Sequence, residues 1–343
     1  MDRKHRWIKL LLALSMLLAL SACGGGQTPA PDTTEALEPV TLQLQWVTQA
    51  QFAGYYVALD QGWYAEEGIA LTIRPGGPDI SAVDMVAARH VDFGTSVLAD
   101  LVVSIAGGKP VVSISQIQQQ NGLLLLTMWD SGIYAPIDFA GKRVGVWLGG
   151  WEAQFNALMA QVGLTPADFE LVSQGYSMDA FLAGELDVAS AMIYNEYHMV
   201  LESGVSETEL NIIDYANYGL DFPGDALFTH QDLVAENPDL CARMLRASLR
   251  GWQYAIENPE EAAEIVLRYD VTGVQTLDHQ LAMMREMADL VRGTAVLPIG
   301  YTERSDVLRV IDTLARYDIL QETVEPEAIF TNDIWDLAQP VDN

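Results

Sequence analysis

The sequence predicts an α/β protein built as two similar lobes. Strand-like and helix-like segments alternate from Val40 onward, the pattern of a largely parallel sheet covered by helices. At 343 residues the chain is about twice the length of a typical single domain. A segment around Asp92 is echoed around Asp187, each joining a helix end to a short strand through an apolar residue, Asp, an apolar residue and a small residue.

Residues 1–22 read as a leader. Arg3, Lys4, Arg6 and Lys9 make a positive n-region, and 10–20 is an apolar run broken only by Ser15. Its 11 residues are too few to cross a bilayer, which takes about 20. Leu20-Ser21-Ala22-Cys23-Gly24 resembles a bacterial lipobox, so Cys23 is expected to carry palmitate-type lipid and to hold the mature protein on the extracytoplasmic face of the cell membrane. Residues 23–39, rich in Gly, Pro, Thr and acid, cannot bury enough surface to fold and are expected to form a flexible tether.

The folded part then begins near Val40. Residues 41–46 alternate as a strand, 51–67 read as a helix ended by Gly68, and 71–74 as a strand stopped by Pro75-Gly76-Gly77-Pro78. Residues 81–90 are helical, 91–96 extended, and 111–117 and 123–129 strands, which closes a first series near residue 130. The second series has strands at 143–147, 169–172, 188–194 and 210–216, with helices at 152–162 and 178–183. Beyond about residue 230 the pattern is nearly continuous helix, broken at Pro238, Pro259, Gly273 and Pro298, and reads as a return to the first lobe. The expected division is 40–130 plus 230–343 for lobe 1 and 131–229 for lobe 2.

Acidic residues outnumber basic ones 47 to 18, and the leader holds four of the basic residues but only one acid. The mature chain is therefore strongly anionic, which excludes nucleic acid as a partner. Two cysteines, Cys23 and Cys241, exclude a disulfide scaffold and a cysteine zinc site, and Cys241 is expected to be a small buried residue. The sequence lacks GxSxG, HExxH and GxxxxGK[ST], so no catalytic residue, metal or cofactor is assigned. His90, His198, His230 and His279 are far apart and read as helix-terminus or surface residues.

Aromatic residues are the chemistry the sequence does supply: Trp46, Phe52, Tyr55 and Tyr56 in the first series, and Trp147, Trp151, Tyr176, Tyr194 and Tyr197 in the second. About half of these are expected to fill cores, as are Trp63, Trp252 and Trp335. Trp46 ends a strand, where open α/β sheets place their crevices. Trp151 follows Gly149-Gly150 at a helix start, where amides are free. Tyr194-Asn195 ends the echo strand, and Gln45, Gln51, Asp79, Ser96, Asp100, Gln118, Glu152 and Asp225 are the polar candidates for a ligand's N–H or hydroxyl groups.

Trp46, the run Gln51-Phe52-Ala53-Gly54-Tyr55-Tyr56-Val57-Ala58, Gly62-Trp63-Tyr64 and Glu66-Glu67-Gly68-Ile69 resemble the opening of the NMT1/THI5-like solute-binding proteins of ABC importers. Val91 to Gly94, Gly107-Gly108-Lys109-Pro110 and Leu186-Asp187-Val188-Ala189 match further elements of that family. The resemblance covers about 40–220 and implies a periplasmic-binding-protein type II fold. Its two α/β lobes would close over a ligand cleft, joined by hinge crossovers near 128–135 and 222–232. A monomer would deliver its ligand to an ABC permease and its ATPase. Members of the family bind formylaminopyrimidine and one branch binds riboflavin. The many aromatics and the lack of a basic anchor rank riboflavin first and the pyrimidine second. A related pyrimidine synthase uses pyridoxal phosphate on a lysine, but only Lys109 and Lys142 lie beyond the leader, so the enzyme reading is weaker. A ligand-sensing domain is the remaining alternative, marked by a kinase rather than a permease as gene neighbour.

Overall fold

The computed structural model describes residues 36–148, 152–293, 296–320 and 322–339. The leader, Cys23, most of the expected tether and Trp151 lie outside the described residues.

Four strands open the chain: β1 (Glu38–Gln43), β2 (Ile69–Arg74), β3 (Phe93–Val97) and β4 (Val111–Gln116). Five more follow: β5 (Leu123–Met128), β6 (Arg143–Val146), β7 (Glu170–Ser173), β8 (Val188–Met192) and β9 (Leu210–Asp214). The last is β10 (Asp225–His230). They form two five-stranded sheets, ordered β2-β1-β3-β10-β4 and β7-β6-β8-β5-β9. In the first, β1 runs parallel to β2 and β3, while β10 lies antiparallel between β3 and β4. In the second, β6 runs parallel to β7 and β8, while β5 lies antiparallel between β8 and β9.

The two sheets thus share one plan with one strand exchanged. β5 follows the last strand of the first sheet but is built into the second, and β10 returns the other way. The chain therefore crosses between the sheets at 117–122 and 215–224, rather than near 128–135 and 222–232. The strand at 123–128, expected in lobe 1, belongs to lobe 2, and the segment read as the second hinge contains β10. Periodicity cannot make this assignment, because the apolar run of β5 fits either sheet and β10 is a short segment behind Pro223-Gly224. The exchanged antiparallel strands also make each sheet mixed rather than largely parallel.

The echoed aspartates do the same work in both lobes. Asp92 Oδ2 accepts the Thr41 backbone N–H at 2.8 Å and its hydroxyl at 2.7 Å. Asp187 Oδ2 accepts the Arg143 backbone N–H at 2.8 Å, and its other oxygen accepts the Arg143 guanidinium at 2.8 Å. Each carboxylate ties a helix-to-strand turn to the neighbouring parallel strand, β1 or β6, which explains why the pattern recurs.

Other elements differ in detail. β1 begins at Glu38, inside the expected tether. The helix expected over 51–67 is a 3-10 turn (Ala50–Phe52) and two helices, Ala53–Asp60 and Trp63–Glu66, parted at Gly62, whose φ of 76° breaks the helix. The C-terminal helices lie on the first lobe, with Pro238–Glu257 packed against Ala53–Asp60. Cys241 is buried there and unbridged.

Candidate ligand-binding cleft

β1 ends at Gln43, and Leu44-Gln45-Trp46 continue past the carboxyl ends of the parallel strands, the place where such sheets open a crevice. The Leu44 N–H donates to Arg74 O at 2.9 Å and the Gly76 N–H to Trp46 O at 2.8 Å. Gln43 Nε2 donates to the carbonyls of Leu44 and Pro75 at 3.1 and 3.0 Å. A Cβ on Gly76 would stand 2.1 Å from Leu44 O, so glycine is what lets the loop after β2 lie directly on this segment.

Trp46 so held meets two rings of the other lobe. Its centroid is 6.0 Å from that of Trp147, edge to face, and 5.0 Å from that of Tyr176. Trp147 follows β6, Tyr176 follows β7, and the Trp147 indole donates to Gly175 O at 3.3 Å. A Cβ on Gly77 would stand 2.2 Å from the Tyr176 hydroxyl, so the lobes also touch there.

A cavity of about 260 Å³ lies beside these rings. Asp79, Ser96, Asp100 and Gln45 line it from the first lobe and Trp147 and Leu148 from the second. Ser96 Oγ donates to Asp100 Oδ2 at 2.6 Å, and burial pushes the Asp100 carboxyl up. A smaller cavity of about 30 Å³ at the crossovers is lined by Gln118, Gln154 and Pro223, and one of about 10 Å³ by Gln49, Gln51, Met192, Tyr194, Asn195 and Glu196. Among the described residues, no Lys or Arg lines these three cavities. Lys109 is paired with Asp84 at 2.6 Å.

Two further buried carboxylates support the cleft. Asp225, the first residue of β10, accepts Gln45 Nε2 at 2.6 Å on Oδ1 and Gln51 Nε2 at 2.7 Å on Oδ2. Burial outweighs these bonds and pushes its carboxyl up to about 6. The phenols of Tyr55 and Tyr194 are pushed well up by burial, and by the Asp225 charge in addition, so both stay neutral. Across the cleft, Glu196 accepts the Met192 N–H at 2.9 Å and Asn195 Nδ2 at 2.7 Å, and burial pushes it up to about 7.

The Glu196 chain continues. Asn195 Oδ1 pairs with His279 Nε2 at 2.9 Å, and His279 Nδ1 pairs with Glu202 at 2.9 Å. His279 belongs to the helix Leu277–Arg292 on the first lobe, so this line of polar groups, buried except at Glu202, joins the lobes. Of the two positions expected for His279, helix terminus or surface, it takes the first, and it is 7% exposed. It stands in the first turn of its helix, where a histidine reads from sequence as a terminus.

The structure gathers most of the expected residues. Trp46, Asp79 and Ser96 line the cavity of about 260 Å³ between the lobes, Gln118 the crossover cavity, and Gln51, Tyr194 and Asn195 the one of about 10 Å³. Tyr176 packs on Trp46, and Asp225 lies beneath Gln45 and Gln51. Phe52 and Tyr55 line none of the three cavities: both are buried in the first core, with Tyr55 edge-on to Trp252 at 5.8 Å in a helix packed against Pro238–Glu257. Glu152 sits at the start of the helix Ala153–Val162 and lines none of the three cavities. Met192 and Glu196 were not anticipated, although an acid in the apolar stretch 188–200 was a usable signal.

The raised carboxyls of Asp225 and Glu196 predict a pH response. The folded protein holds their protons more tightly than the unfolded chain does. Their stabilising contribution is therefore full below about pH 4 and lost as pH rises through about 6 for Asp225 and about 7 for Glu196, on the order of 3 kcal/mol each. Urea denaturation of the ligand-free protein at about pH 5 and about pH 8 should show a shallower alkaline loss in Glu196→Gln than in wild type, and equal losses would refute it.

A model of the NMT1/THI5-like family matches residues 49–262. The chain is 25% identical to the riboflavin-binding protein RibY of Chloroflexus aurantiacus, over 94% of this chain and 96% of that one. It is 24% identical to the formylaminopyrimidine-binding protein of Halalkalibacterium halodurans, over 95% and 99%. A third relative is the 4-amino-5-hydroxymethyl-2-methylpyrimidine phosphate synthase of Legionella pneumophila, 31% identical over 66% of this chain and 72% of that one. Among solved structures, the periplasmic nitrate-binding protein NrtA from Synechocystis PCC 6803 superposes with a TM-score of 0.67 at 15% identity, covering 88% of each chain. That likeness establishes the periplasmic-binding-protein fold.

Proposed function

Because the chain belongs to the NMT1/THI5-like family, we propose that it is the solute-binding component of an ABC importer and captures a flat heteroaromatic vitamin-type molecule between its lobes. The observation that carries this reading is the meeting of Trp46 with Trp147 and Tyr176, rings contributed by both lobes beside a cavity lined by acids and amides. Closing two lobes over a planar ring buries both its faces, and each good stacking pair adds about 0.5 to 1.5 kcal/mol to the area term. The absence of Lys and Arg from the lining, among the described residues, disfavours an anionic ligand. Of the two ligands named for the full-length relatives, we rank riboflavin ahead of formylaminopyrimidine.

The synthase relative makes an enzyme the second reading, and the lysines weigh against it. Lys109 is held by Asp84, and Lys142 precedes β6, at the end of the strand away from the cleft. The proposal includes a lipid anchor on Cys23 and delivery to a permease and its ATPase. Cys23→Ala should release the protein from the membrane fraction, and retention there would remove the anchor from the proposal.

Titration of riboflavin with the purified protein tests the ligand ranking. Stacking on Trp46 and Trp147 should quench flavin emission in a saturable manner. A flat response alongside tight calorimetric binding of formylaminopyrimidine would reverse the order.

A further inference from the structure

Gln45 lines the cavity of about 260 Å³ between the lobes and is 2% exposed. Its amide is oriented by a run of hydrogen bonds whose direction is fixed. Gln49 Nε2 donates to Gln51 Oε1 at 2.8 Å, Gln51 Nε2 donates to Asp225 Oδ2, and Gln45 Nε2 donates to Asp225 Oδ1. Turning the Gln45 amide over would set its oxygen against a carboxylate oxygen at 2.6 Å. The nitrogen is therefore committed to Asp225, and Oε1 is left buried without a hydrogen-bond partner in the protein.

A buried acceptor without a donor is costly, and native proteins keep few of them. Gln116 supplies the contrast. Its Oε1 is also buried and unpartnered, but it lies at the crossover, where its Nε2 donates to the carbonyls of Gln118 and Gly224, and it lines none of the three cavities. Of the two residues, Gln45 alone lines the cleft.

We propose that Gln45 is a specificity-determining residue whose Oε1 accepts a hydrogen bond from an N–H on the edge of the heteroaromatic ring held beside Trp46 and Trp147. This rests on the function proposed above and adds the chemical class: a ring bearing an imide N–H or an amino N–H at its edge. Asp225 is the positioning residue, because it fixes which end of the amide meets the ligand. Riboflavin offers such a donor at its imide nitrogen and an aminopyrimidine offers one at its exocyclic amine, so the two sources share the required chemistry.

The test pairs each parent with an analogue lacking the donor: riboflavin with N3-methylriboflavin, and formylaminopyrimidine with its desamino form. Calorimetry on wild type should give the analogue of whichever parent binds an affinity at least about tenfold lower. In Gln45→Met, which keeps volume and removes the acceptor, that ratio should fall to about threefold or less. The melting temperature of the variant shows whether it folds. Equal binding of parent and analogue by wild type overturns the inference without any variant, and so does a ratio that Gln45→Met leaves unchanged. If wild type binds neither parent, the functional reading itself fails and this inference with it.

Discussion

Trp46→Ala is expected to weaken ligand binding by about 30- to 300-fold, or about 2 to 3.4 kcal/mol, while the protein still folds. The size follows from position. Trp46 lies just past β1, its carbonyl accepting the Gly76 N–H while the Gln43 amide holds neighbouring Leu44, and its ring packs against Trp147 and Tyr176 of the other lobe. Truncation removes one wall of the cleft and the aromatic contact through which the lobes meet, and rings at such centres dominate binding energy. Trp46→Phe keeps a smaller ring and should recover most of the loss. An unchanged dissociation constant for Trp46→Ala, measured by calorimetry, would take this residue out of the site.

Trp46 was legible in the sequence because a strand end in an α/β sheet is a physical address. The echoed Asp92 and Asp187 were legible for the same reason, since each marks a turn whose amides need an acceptor. Phe52 and Tyr55 were not, because the helix Ala53–Asp60 is buried nearly all round and its apolar pattern does not say which face meets the cleft. The exchange of β5 and β10 was hidden because strand pairing is decided by contacts far apart in sequence, such as Leu227 opposite both Thr95 and Ser115. The buried bonds of Glu196 and His279 were not legible: both run through Asn195, and no local pattern encodes a partner 84 positions from His279 in the chain.

Gly251→Leu is expected to destabilise the fold by about 3 kcal/mol or more. Helices Ala53–Asp60 and Pro238–Glu257 cross backbone to backbone. A Cβ on Gly251 would lie 1.9 Å from Gly54 O and 2.9 Å from Ala58 Cβ, and one on Gly54 would lie 2.3 Å from the Trp252 ring. The nearest obstacle to residue 251 is a carbonyl rather than a mobile side chain, so the helices must separate. Separation would loosen the edge contact of Tyr55 with Trp252 and shift the turn carrying Gln49 and Gln51, of which Gln51 donates to Asp225. Ligand affinity should therefore fall along with stability. Gly251→Ala should already cost about 1 kcal/mol or more although alanine is the better helix former. Gly175→Ala, where a Cβ meets nothing within 4 Å, should be close to neutral. Urea denaturation of the three variants decides the matter, and a Gly251→Ala variant as stable as wild type would show that the helices can part without cost.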